Sequence, residues 1–89
     1  MNSRKNWELE IDEAVLKALK KIPRRDGQRI IASIESLSVD PFDGDIQKMK
    51  GEEAVWRRRV GSLRIFYELD AAQHTVNVFH CERRTSKTY

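Results

Sequence analysis

The 89-residue chain has one cysteine, two prolines, four glycines and few aromatic side chains (8%). A single thiol, Cys81, excludes an internal disulfide framework and fits a reducing compartment, read here as the cytoplasm. No apolar run approaches the roughly 20 residues of a membrane span, and residues 1–10 (MNSRKNWELE) lack the apolar centre of a secretory leader. No Cys/His/carboxylate spacing suggests a metal site, and nothing calls for a cofactor. Linkers rich in Ser and Gly, internal repeats and low-complexity tracts are missing too, so residues 1–89 read as one domain with one modest core.

A large excess of either charge is also absent overall: 17 Lys/Arg face 14 Asp/Glu, for a net charge of +3. The distribution is uneven, however. Residues 56–89 hold seven Lys/Arg against three carboxylates, whereas residues 1–55 hold ten against eleven. A local excess of guanidinium groups suits a polyanionic ligand, and the first expectation is an RNA-directed protein.

Periodicity sketches the fold. In residues 6–11, Trp7, Leu9 and Ile11 alternate with Glu8 and Glu10, as in a half-buried strand. Asp12 stands where a helix N-cap would accept from free amides. A helix follows through Ile22 on the stripe Val15, Leu16, Leu19 and Ile22, and Pro23 stops it. A second helix repeats the spacing with Ile30, Ile31, Ile34 and Leu37 and ends before the turn-rich SVDPFDGD. The short loop between the helices predicts an antiparallel hairpin. Strands then follow: IQKMK, AVWRRRV, LRIFYEL and TVNVFH, with a two-residue turn at Gly61–Ser62. The order β-α-α-β-β-β-β is that of an α+β fold, with a helical hairpin on a mainly antiparallel sheet of four or five strands.

Side chains alternate across a strand, so Arg57 and Arg59 share one face while Trp56, Arg58 and Val60 share the other. If Trp56, Val60, Leu63, Ile65, Tyr67 and Leu69 turn inward, Arg57, Arg59 and Arg64 form an open ledge. Any one of these arginines alone reads as solubilising charge; the group points to a phosphate. RNA cleavage without a metal requires a 2′-hydroxyl to lose its proton and attack phosphorus, charge on the phosphoryl oxygens to be stabilised, and the 5′-oxygen to be protonated. Guanidinium forks suit the second task. A phenol with a pKa lowered by neighbouring cations from about 10 suits the first, and Tyr89 closes a tail that also carries Arg83, Arg84 and Lys87.

These segments, WRRRVGSLRIFYEL and the closing RRTSKTY, resemble the RelE/ParE toxin superfamily, specifically its RelE-type mRNA interferases. The likeness extends to the element order, the DPF turn and the KMKG strand. It implies a RelE-like fold and a metal-independent endoribonuclease that cuts mRNA in the A site of the 70S ribosome, leaving a 2′,3′-cyclic phosphate. It also implies a RelB-like antitoxin that wraps the toxin in a hetero-oligomer. By the same resemblance Arg57 and Arg59 hold the phosphate, Arg64 stabilises the transition state, Arg83 protonates the leaving oxygen with Arg84 as the alternative, and Tyr89 stacks on or activates the nucleotide. As arginines, Arg57 and Arg59 serve as clamps and not as proton carriers. The Arg-x-Arg-x-Gly-x-x-Arg core is common to the superfamily; the tail Arg and Tyr are what gyrase-poisoning relatives typically lack. Two rival expectations are a ParE-like inhibitor of DNA gyrase and a degenerate homologue that only binds an antitoxin.

Other residues rank lower. Lys48 and Lys50 are candidate RNA contacts, although a solvated strand edge explains them equally. His80 reads as structural at a strand end. Lys17, Lys20, Lys21, Arg24, Arg25 and Arg29 form a basic helical rim that reads as a solvated face.

Overall fold

The computed structural model describes residues 7–51 and 54–83. The chain runs β1 (Glu8–Ile11), α1 (Glu13–Leu19), α2 (Arg24–Leu37), β2 (Ile46–Lys48), β3 (Val55–Val60), β4 (Leu63–Asp70) and β5 (Thr75–Arg83). This is the expected order. The strands form one five-stranded sheet in the order β1-β5-β4-β3-β2, antiparallel except for the parallel pair β1–β5. The two edge strands are also the shortest, which limits edge-to-edge pairing with other chains.

Both helices lie on one face of the sheet. Val15 of α1, Ile30, Ile34 and Leu37 of α2, and Leu63, Ile65, Tyr67, Val76, Val78 and Cys81 of the sheet make the core. Two members of the expected stripes fall outside it: Leu16 and Ile31 remain 47% and 46% exposed. Each is one residue, about 100° of helical turn, past a fully buried neighbour, so neither can face the sheet with it.

The caps differ from expectation in detail. Asp12 occupies the N-cap, but its side chain makes no capping bond; its backbone carbonyl instead accepts from Val15 N and Leu16 N, at 3.0 and 3.3 Å. The first helix ends at Leu19 and not at Ile22, because the amides of Lys20 and Lys21 bond three residues back, to the carbonyls of Lys17 and Ala18. Pro23 then serves as the N-cap of α2.

The loop from α2 to β2 is tied down at several points. Asp40 accepts the Phe42 amide on its side chain at 3.0 Å, giving an Asx turn. Pro41 is buried, and its carbonyl accepts the hydroxyl of the fully buried Tyr67 at 2.6 Å. Burial pushes the Tyr67 phenol up to about 12, against a smaller opposing effect of Arg58. Gly44 has φ +91°, and its α-carbon sits so close to Arg58 that a β-carbon would lie 2.8 Å from Nε.

Between β4 and β5 the register slips: Phe66 faces His80 while Tyr67 faces Val78, leaving Phe79 as an extra, bulged residue. Upstream of the bulge Val76 and Val78 face the core; downstream Cys81 does, and His80 and Glu82 turn to the opposite side.

A guanidinium ledge as candidate functional site

The sheet face without helices carries the site. Ladder partners share a face, so Arg59 and Arg64, directly opposed in β3 and β4, project together. Arg57 opposes Phe66, Phe66 opposes His80, and Arg64 opposes Glu82. Like charges directly opposite each other cost stability in a sheet. Here each is matched by a carboxylate: Arg59 Nε donates to Asp45 Oδ2 at 3.2 Å and Arg64 Nη1 donates to Glu82 Oε2 at 3.3 Å. Arg57 donates to the side-chain oxygen of Gln47 in β2. His80 Nε2 lies 3.1 Å from Glu82 Oε1, and its ring sits 5.3 Å from that of Phe66, tilted by 50°. The ledge is thus three guanidinium groups, an imidazole and a phenyl ring, with three side-chain acceptors from the same chain.

The middle arginine of the triplet has a different task. Arg58 points to the helix side, where Nη1 donates to Ser36 Oγ at 2.6 Å and approaches the Ser33 carbonyl at 3.5 Å. It clamps α2 to β3 and packs against Gly44. Asp45, the next residue, is held both by the Arg59 side chain and by the Arg59 amide, which donates to its carbonyl at 2.9 Å.

The structure does not bring every sequence candidate to this face. Arg83 opposes Leu63 on the helix side, and its Nη2 pairs with Asp26 Oδ2 of α2 at 3.3 Å. Lys48 opposes Trp56, also on the helix side, and Lys50 lies in the turn after β2. Arg84 and Tyr89 lie outside the described residues. His80 and Glu82, by contrast, join the ledge although sequence reasoning gave one a structural role and the other none. The signal for them was in the sequence: apolar residues at 76, 78 and 81 break the two-residue period, which is what a bulge does.

Charge divides the open face. Beyond the ledge a depression of about 360 Å³ is lined by Glu10, Glu68, Asp70, Thr75 and Asn77, among others. Its three carboxylates repel a phosphate backbone, so the ledge and not this depression suits a polyanion. Burial, with a smaller effect of Glu82, raises the Cys81 thiol and disfavours the thiolate. Among the described residues no group of three or more His, Cys, Asp or Glu is arranged to hold a metal ion, and no helix is long and apolar enough to cross a membrane.

A family model described as the ParE toxin of the type II toxin–antitoxin system parDE matches residues 9–85. The chain belongs to the RelE/ParE toxin superfamily. Among curated proteins it is 34% identical over 64 residues to "Putative toxin RelE1" of Methanocaldococcus jannaschii, covering 68% of this chain and 71% of that one. Among solved structures the fold matches the archaeal RelE–RelB complex from Pyrococcus horikoshii OT3, with TM-score 0.78, 21% identity, and 92% and 99% of the two chains covered. The toxin–antitoxin complex RelBE2 from Mycobacterium tuberculosis matches with TM-score 0.79 and 20% identity, covering 89% and 99%. The chain is thus a superfamily toxin with a RelE-like α+β fold.

Proposed function

We propose that this toxin is a metal-independent endoribonuclease that cuts mRNA in the ribosomal A site and acts in the cytoplasm. The observation that carries the reading is the convergence of Arg57, Arg59 and Arg64 on one open sheet face, beside Phe66 and His80. In the proposed reaction the 2′-oxygen attacks the adjacent phosphorus, the bond from phosphorus to the 5′-oxygen breaks, and a proton is delivered to that oxygen. The products are a 2′,3′-cyclic phosphate and a free 5′-hydroxyl. Arg57 and Arg59 clamp the phosphate, and Arg64 holds the charge that develops on its oxygens. Tyr89 orients the nucleotide or activates the nucleophile. Arg83, once that side chain leaves Asp26, or Arg84 aids the leaving group by stabilising charge on the 5′-oxygen, which takes its proton from water. A RelB-like antitoxin neutralises the toxin in a hetero-oligomer, as the pairing of P. horikoshii RelE with RelB suggests.

Changing Arg64 to Ala tests the reading. Removing one preorganised donor to developing charge typically costs about 10²–10³ in rate, so induced expression of the variant should no longer arrest growth. Cleavage of mRNA on ribosomes, mapped by primer extension, should fall by the same order; full arrest and full cleavage by the variant would refute the assignment. The matched ParE family model favours a second reading, inhibition of DNA gyrase. Under that reading expression induces the DNA-damage response and leaves mRNA intact.

A further inference from the structure

Glu82 is the one described residue whose two carboxylate oxygens each meet a different nitrogen-bearing side chain of the ledge. Oε2 accepts from Arg64 Nη1 at 3.3 Å, and Oε1 lies 3.1 Å from His80 Nε2. Two oxygens on one centre, each met by a separate donor, is also how a phosphodiester presents its non-bridging oxygens. The bulge at Phe79 produces this arrangement, because it turns His80 and Glu82 to the side where Arg64 projects. Arg59 stands opposite Arg64 in the ladder and adds positive charge, while the Phe66 ring beside His80 offers a flat apolar surface to a base.

We propose that Arg64 and His80 form a subsite for the two non-bridging oxygens of an RNA phosphodiester, and that Glu82 occupies this subsite until the nucleic acid displaces it. The proposal deepens the RNA-directed reading of the same face and rests on it. All three side chains are reachable from solvent, at 27% exposure for Arg64, 39% for Glu82 and 51% for His80. A partly exposed ion pair is weak, so a diester backed by Arg57 and Arg59 can replace the carboxylate. The displaced carboxylate stays beside the bound phosphate as a like charge. Glu82 therefore lowers affinity at every moment of binding, first as competitor and then as repulsive neighbour.

The test measures binding of a fluorescent 2′-O-methyl RNA hexanucleotide by anisotropy; its blocked 2′-oxygens prevent cleavage, so the readout is affinity alone. Glu82→Gln, nearly isosteric, should tighten binding about three- to tenfold, and Glu82→Ala should act in the same direction. Glu68→Gln, which makes the same charge change elsewhere on the open face, should shift affinity less than about twofold. Adding Arg64→Ala or His80→Ala to Glu82→Gln should abolish the gain. Unchanged or weaker binding by both Glu82 variants, or an equal gain from Glu68→Gln, overturns the proposal. The two readings fail separately: a gain at Glu82 in a protein that never cleaves RNA sinks only the nuclease, and ribosomal cleavage with no gain at Glu82 sinks only the subsite.

Discussion

Replacing Tyr67 by Phe removes one oxygen from the centre of the core, and the structure gives the direction of the stability change and of its pH dependence. At neutral pH the hydroxyl donates to Pro41 O at 2.6 Å with no water access. Phe leaves that carbonyl unpaired, at a cost of about 1.5 kcal/mol. The phenol is raised from 10.0 to about 12 in the folded protein, so the unfolded chain ionises first. Its contribution to stability is complete below pH 10 and is lost as pH rises through 12, a total of about 2.7 kcal/mol for two pH units. Half of that, about 1.4 kcal/mol, is gone at pH 11. The stability curves of wild type and Tyr67→Phe should therefore converge and cross near pH 11, with the variant the more stable protein above it. Urea unfolding followed by circular dichroism from pH 7 to 12 measures both curves, and comparing the two proteins cancels the titration of the lysines. A gap that stays constant across this range would refute the account of Tyr67 as a buried, hydrogen-bonded phenol.

Gly44→Ala forces a β-carbon into a backbone at φ +91° and to within 2.8 Å of Arg58 Nε. The backbone strain should cost about 1–2 kcal/mol, seen in thermal melts, and the Arg58 guanidinium should move, seen by NMR; wild-type stability would contradict the close approach. Cys81, 6% exposed with a raised thiol, should be alkylated by iodoacetamide at least about a hundredfold more slowly in the folded protein than in urea. Labelling at the unfolded rate would show that the sheet beneath α1 opens freely.

Much of this architecture was legible because binary patterning carries it. The alternation in WRRRV and LRIFYEL assigns Arg57, Arg59 and Arg64 to one side and Trp56, Leu63, Ile65 and Tyr67 to the other, and the ladder agrees. Helix stripes were less sharp, since Leu16 and Ile31 are as apolar as the residues beside them and only tertiary packing decides which faces the sheet. The side taken by Arg83 was not legible, because the expected strand ended at His80 and the tail was placed by resemblance. One extra residue at Phe79 reverses the phase, sending Arg83 toward Asp26 and Glu82 toward Arg64. Alternation set Arg58 on the helix side, and its contacts there are those of a fastener between sheet and helix. Alternation gives its side but not that role, which depends on the hydroxyl of Ser36, 22 residues earlier.

The pairing of the first strand with the last also governs when the protein can assemble. Glu8–Ile11 has no hydrogen-bonding neighbour in the sheet until Thr75–Val78 has been made. The same late segment supplies Val76, Val78 and Cys81 to the interior and His80 and Glu82 to the ledge. Until that segment is present the chain holds neither a closed interior nor a finished ledge, and the long sequence separation of these contacts slows their formation. The topology thus ties closure of the interior and completion of the ledge to one strand.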